Sequence, residues 1–249
     1  MLDLTPLQTP FSSVAVGAGV WVFALWAWLS TEEQRRVETA AAFGVVVAAA
    51  FVVGAIPSLW QDSLALSSVG AGIGAVGALA GFWLLSDRSD PELFDRLVPA
   101  GIAGLSVARV GCLFDGCDFG RVTEAAPAVI YGPDTRAWQM HVVEYGLSPG
   151  SDASLPVLPF AAYLALWGLF AAGVGQWWRR RDGRTGEPAL VAALVFLVGA
   201  GGIEWLRDPA MVPGLVDGIS AVPFVYWAAA CIVAVGWWSW RPSNGSEQL

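Results

Sequence analysis

ARVGCLFDGCDFGR, from Ala108 to Arg121, is where a long apolar run gives way to a dense polar one, and its reading decides the fold. The run leading into it, Leu97 to Phe114, is nearly long enough to cross a bilayer, whose hydrocarbon core of about 30 Å takes about 20 helical residues. An arginine inside such a helix is costly unless it faces a partner, a ligand or a water-filled cavity, so Arg109 reads as a functional residue. On a helix, Arg109, Cys112 and Gly116 share one face by three- and four-residue spacing. That face carries a cation, a thiol and a gap in side-chain bulk.

Working outward, the composition points to the same solvent. The chain has 249 residues, 56% hydrophobic and 14% charged, with a mean hydropathy of +0.58. A soluble domain of this length does not need so much apolar surface. Seven apolar runs are expected to span the membrane: Phe11 to Leu29, Val37 to Ile56, Leu64 to Leu85, Leu97 to Phe114, Leu155 to Trp178, Ala189 to Leu206 and Val222 to Trp240. The expected fold is therefore an all-α polytopic membrane protein, one domain of seven transmembrane helices. A polar insertion, Asp115 to Ser154, forms a small extracytoplasmic cap between the fourth and fifth helices. Its glycines and prolines alternate with aromatics around a β-like stretch, Ala128 to Tyr131, as in a compact loop folded over a bundle mouth. The lone histidine, His141, falls there and reads as a packed or surface residue.

The basic residues set the expected orientation. All 13 are arginine, and the net charge is −8. Nine of them, Arg35, Arg36, Arg88, Arg96, Arg179, Arg180, Arg181, Arg184 and Arg241, fall on one side of the spans. That side is cytoplasmic by the usual bias of basic loops. The amino terminus and the cap are then outside and the carboxyl terminus inside the cytoplasmic (inner) membrane. The amino-terminal residues have no positive n-region and carry Pro10, so they are expected to stay on the mature protein rather than be cleaved as a signal. The fourth and sixth spans run in the same direction, so Arg109, Glu204 and Arg207 reach the same leaflet, and Glu204 and Arg207 share a face.

Guanidinium groups converging at that depth suit an anionic phospholipid, because their planar fork matches phosphate oxygens. Dispersed arginines with no basic face argue against nucleic acid as a partner. No cofactor or metal is expected, since no His and Cys have ligand spacing, and there is neither a GxSxG elbow nor a nucleotide phosphate loop. Glycine stripes in the third span (Gly70, Gly74, Gly77, Gly81) and the fourth (Gly101, Gly104, Ala108, Gly111) read first as close helix packing and secondarily as the border of a lipid cleft. Cys231, in an apolar run, reads as a small buried hydrophobe. Cys112 and Cys117 are open to three readings: free structural thiols, a disulfide, or a redox pair.

The run Arg109-Val-Gly-Cys-Leu-Phe-Asp115-Gly-Cys-Asp-Phe-Gly120-Arg121 resembles the signature of the prolipoprotein diacylglyceryl transferase family. Glu204-Trp-Leu-Arg207-Asp-Pro209 is similar to that family's E-x-x-R-x-P motif at the end of the sixth span. The resemblance implies transfer of a diacylglyceryl group from phosphatidylglycerol, or a related anionic lipid, to the cysteine thiol of a lipoprotein precursor. It implies that Arg109, Arg207 and Glu204 carry the catalysis, the arginines by stabilising charge on the leaving group. Gly120, Arg121, Cys112, Asp115 and Asp118 would lie against substrate, with Gly120 allowing close backbone approach and Arg121 and Glu204 orienting the site by ion pairing. Candidates for the thiol's base are Asp115, Asp118, Glu204 and His141.

The sequence departs from the family pattern in identifiable places. Leu155 to Ala161, LPVLPFA, lacks the histidine and glutamate expected there; the first span has no tyrosine; Val69 stands near an expected histidine; Cys112 and Cys117 replace a signature asparagine and an acidic position. Two alternatives follow: a lipid- or lipoprotein-binding relative without transfer activity, and a membrane thiol-redox protein using Cys112 and Cys117.

Overall fold

The computed structural model describes residues 2–4, 11–56, 74–79, 81, 91–181, 183–211 and 220–240. Among them are the α-helices α1 (Phe11–Leu29), α2 (Arg36–Ala55), α3 (Pro91–Asp115), α4 (Arg136–Glu144), α5 (Phe160–Arg180), α6 (Glu187–Ile203) and α7 (Val222–Trp240). The strands described are two residues each, β1 (Leu2–Asp3) and β2 (Val129–Ile130), paired in parallel. Among the described residues, four helical segments are long and apolar enough to cross a membrane: Glu33–Ala55, Pro91–Asp115, Phe160–Arg180 and Glu187–Leu206. The chain is an all-α membrane protein. Of the third expected span, only residues 74–79 and 81 are among those described, and these are helical.

The outward faces carry what a bilayer requires. Trp21, Val37, Ile232 and Trp238 are each more than 70% exposed, a placement that lipid favours and water does not. Inside, α3 is the central helix, packed against α1, α5 and α6. Small residues allow this: a Cβ on Gly104 would lie 2.5 Å from the carbonyl oxygen of Gly19, and one on Gly175 would lie 2.7 Å from Ala192 Cβ. The α3 stripe at Gly101 and Gly104 is thus filled by Phe23 and the backbone of α1, the packing use of small residues.

Three boundaries differ from the apolar runs for local reasons. Helix α3 begins at Pro91, six residues ahead of the run, because its charged first turns have partners. Arg96 Nη2 donates to Glu92 Oε2 at 2.9 Å. Asp95 accepts from the backbone N–H groups of Gly186 (2.7 Å) and Ala189 (2.9 Å), capping α6 from a neighbouring helix. Helix α5 begins at Phe160 rather than Leu155, since Val157 exchanges backbone hydrogen bonds with Val129 at 3.0 and 2.9 Å. Helix α6 tightens into a 3-10 turn over Glu204–Leu206.

The bundle has two chemically different ends. Arg179 Nη2 donates to the carbonyl of Ser30 at 2.7 Å, so the chain after α1, the start of α3 and the α5–α6 turn meet at an arginine-rich end. Arg88 and Arg241 lie outside the described residues. At the other end the segment between α3 and α5 folds around a small core of Leu4, Phe119, Val129, Tyr131, Ala137 and Val157. Thr135 caps α4 by accepting from the N–H of Trp138 at 3.3 Å.

Candidate functional site

Helix α3 stops where Gly116 takes a left-handed conformation, φ 61°. Cys117 N–H then bonds back to the Cys112 carbonyl at 3.3 Å, the pattern of a glycine-terminated helix. A Cβ on Gly116 would also lie 2.9 Å from the Tyr131 ring. Gly116 is therefore a stop and a turn. It does not extend the helical face of Arg109 and Cys112, as the spacing alone suggested.

The turn delivers Asp118 to Gly120 against the chain that follows α6. Gly120 and Arg207 form an antiparallel bridge. Arg121 N–H donates to the Leu206 carbonyl at 2.9 Å, Asp208 N–H to the Phe119 carbonyl at 3.3 Å, and Gly120 N–H to the Leu158 carbonyl at 3.0 Å. A Cβ on Gly120 would sit 2.7 Å from both Leu158 Cβ and the Leu206 oxygen, so three backbones converge where only glycine fits.

This backbone seam brings four charges together. Arg109 Nη1 donates to Asp118 Oδ2 at 2.7 Å, and Arg207 Nη1 donates to Asp118 Oδ1. Arg207 also donates from Nε (2.7 Å) and Nη2 (2.9 Å) to the two oxygens of Glu204. Its guanidinium lies 4.3 Å from the centroid of the Phe160 ring, a cation-π placement. Asp118 and Glu204 are each 4% exposed, while both arginine side chains keep 16%. Burial pushes the Asp118 carboxyl above its ordinary range, and the guanidiniums of Arg207 and Arg109 draw it back. Tyr226 on α7 lies close enough to feel all four charges, and it packs on the cluster of Phe160, Leu164 and Ala200.

The two arginines are not equivalent. Every nitrogen of Arg207 is engaged by a carboxylate, whereas Arg109 makes a single hydrogen bond among the described residues. A guanidinium offers five N–H donors. Among the described residues Arg109 is thus the cation of the two with donors to spare, and Arg207 is the keystone that fixes Asp118 beside it.

The remaining expected residues fall around this centre. Cys112 and Cys117 are free, not joined by a disulfide; the adjoining Cys112 thiol, followed by burial, pushes the Cys117 thiol up. Asp115 ends α3, half-buried, near enough to act on both thiols. Arg121 is exposed. Its expected ion pair is absent among the described residues; Glu204 is paired with Arg207 instead. Cys231 is exposed on α7, not buried, since the outer face of that helix is itself apolar.

His141 is fully buried in the cap. Its Nδ1 accepts from the Leu155 N–H at 3.1 Å, so in the neutral ring the proton is on Nε2, which has no partner among the described residues. Burial holds its pKa below the ordinary histidine value. With its lone pair occupied, His141 is a packing residue against Phe119 and Tyr145, at centroid distances of 5.4 and 5.3 Å. Sequence reading missed Asp208, fully buried, whose carboxylate accepts from the Tyr145 hydroxyl at 2.9 and 3.0 Å. That bond ties the cap to the loop after α6. It also missed Tyr226 and Tyr131, the latter buried with a hydroxyl that has no partner among the described residues.

Both halves of the seam thus come from the two sequence motifs, and a family model described as prolipoprotein diacylglyceryl transferase matches residues 13–239. The chain belongs to the prolipoprotein diacylglyceryl transferase family. No curated protein matches it. In this diacylglyceryl transferase relative, the segment Leu155 to Ala161, without histidine or glutamate, has a different use. Val157 and Leu158 pair with the cap backbone, and Phe160 supplies the ring beneath Arg207.

Proposed function

We propose that this protein is a phospholipid-dependent diacylglyceryl transferase, an integral protein of the inner membrane with seven spans. Its amino terminus and cap (residues 115–154) lie outside, and its carboxyl terminus lies inside. The donor is phosphatidylglycerol or a related anionic lipid, and the acceptor is the lipobox cysteine of a lipoprotein precursor. The observation that carries this reading is the seam of Gly120 on Arg207, which sets Arg109, Asp118, Arg207 and Glu204 side by side.

In this reading Arg109, anchored by one hydrogen bond to Asp118, turns its spare donors to the headgroup phosphate. The acceptor sulfur attacks the glyceryl carbon, the carbon–oxygen bond to phosphate breaks, and glycerol phosphate leaves with its new charge held by Arg109. The thiol proton leaves with the phosphate or to water, so atoms and charge balance. Arg207 and Glu204 act by positioning Asp118, and Gly120 by letting the seam close. Asp115, Cys112 and Arg121 border the substrate path.

A second reading is favoured by one observation. Asp118 and Glu204 are committed to guanidiniums, and the His141 lone pair is committed to Leu155, so none of them is a ready base for the thiol. A relative that binds lipid or lipoprotein without transfer would look the same here. Incubation of the purified protein with labelled phosphatidylglycerol and a lipobox peptide separates the two: transfer releases glycerol phosphate in step with peptide labelling, and binding alone retains lipid and releases none. The redox alternative is tested by the Cys112→Ser, Cys117→Ser double variant, whose full activity dismisses it.

A further inference from the structure

The end of the bundle opposite Asp118 carries charges for which the transfer reaction has no use. Arg96, on α3, has a side chain only 4% exposed, and Arg179 lies in the last turn of α5. Each guanidinium spends Nη2 locally, on Glu92 and on the Ser30 carbonyl respectively. In each, the other terminal nitrogen, Nη1, is buried without a hydrogen-bond partner among the described residues. The two groups are close enough for the charge of Arg96 to act on Arg179.

The neighbouring carboxylates Asp95 and Glu92 offset the charge of Arg179 but leave these donors unmet. Glu92 is shared between Arg96 and Arg35, and both oxygens of Asp95 accept backbone N–H groups of the α6 start. A buried N–H left without an acceptor carries the cost of its lost hydration. One anion with several acceptor oxygens between them meets both unmatched donors, and the planar guanidinium fork matches phosphate best.

The surroundings indicate which phosphate. Exposed Trp28, Trp177 and Trp178 ring this end, with Arg36 stacked on Trp28 at 5.1 Å and Arg181 on Trp177 at 4.7 Å. Tryptophans of this kind settle at the headgroup level of a bilayer. We propose that Arg96 and Arg179 form a binding site for a phosphate group, supplied by an anionic phospholipid of the leaflet at the arginine-rich end and distinct from the Arg109 site.

The test is lipid counting by native mass spectrometry on the full chain, delipidated in detergent and then exposed to dioleoyl phosphatidylglycerol. An Arg96→Gln, Arg179→Gln variant retains one lipid fewer than wild type, while Arg180→Gln, at an exposed position, retains the same number. Arg109→Ala separately removes the lipid of the proposed transfer site. If Arg109→Ala changes nothing and the double variant still loses one, the transfer reading fails and this site stands. Equal retention by the double variant and wild type overturns the proposal.

Because replacing buried arginines can unfold the bundle, a second measurement uses Arg109→Ala protein with Arg96 and Arg179 intact. Added phosphatidylglycerol raises its Tm with dose; no rise overturns the site. A rise given equally by inorganic phosphate identifies free phosphate as the occupant, and a rise given by lipid alone identifies the headgroup.

Discussion

Replacing Asp118 by Asn keeps the shape of the side chain and removes the one charge that two guanidiniums share. Breaking a buried ion pair by removing one partner costs about 3–5 kcal/mol, because the other charge is left uncompensated. Glu204 still holds Arg207 through two hydrogen bonds, and both arginine side chains retain 16% exposure. The expected loss therefore lies at the lower end, about 3 kcal/mol. For a chain of this size that lowers Tm by about 6–12 °C. The 14 tryptophans give an intrinsic fluorescence signal for thermal unfolding in detergent. A double-mutant cycle with Arg109→Met should return a coupling within the range of about 0.5–3 kcal/mol for residues in one network. An Asp118→Asn protein within about 0.5 kcal/mol of wild type, or a cycle with no coupling, would refute the reasoning that Asp118 is the bridge.

Other perturbations have separate outcomes. Gly120→Ala places a Cβ 2.7 Å from Leu158 Cβ and the Leu206 oxygen; it should cost about 1–3 kcal/mol by overpacking and abolish transfer by opening the seam, as read by peptide labelling. Gly104→Ala pushes α1 from α3 at Gly19 and should lower Tm by a similar overpacking cost, about 1–3 kcal/mol, while leaving the pH dependence of activity unchanged. Burial lowers the His141 pKa, so the unfolded chain binds the proton more tightly. Stability should hold above about pH 6.5, the ordinary histidine value, and fall as the pH drops below it. His141→Gln should flatten that fall in acid titrations of Tm. Tyr145 is raised to about 12, by burial and then by its bond to Asp208. Its ultraviolet tyrosinate signal should therefore appear above the usual range, and stability should be lost as the pH rises through that value; Tyr145→Phe removes both.

The elements differ in how far they could be read from the chain. The bounds of α1 and α7 match their apolar runs, since no charged residue interrupts Phe11–Leu29 or Val222–Trp240. The start of α5 was misplaced because Leu155, Val157 and Leu158 are as apolar as the span they precede, and only the pairing of Val157 with Val129 reveals them as extended chain. The start of α3 was misplaced for the opposite reason: Asp95 and Arg96 look like loop residues until their partners on α6 and Glu92 are seen. Convergence of Arg109, Glu204 and Arg207 was legible because two spans of the same direction must end in the same leaflet. That Asp118 joins them was not, since it depends on the left-handed turn at Gly116 and the bridge at Gly120. Asp208, Tyr145 and Tyr226 carried no periodic or motif signal; their roles come from contacts across 63 residues in the first two and across helices in the third.

The most direct measurement is release of glycerol phosphate from labelled phosphatidylglycerol by the purified protein in the presence of a lipobox peptide, compared between wild type and Arg109→Ala. The expected result is stoichiometric release and peptide labelling by wild type and neither by a folded Arg109→Ala protein. Release that is undiminished without the Arg109 guanidinium would contradict the claim that its spare donors hold the departing phosphate.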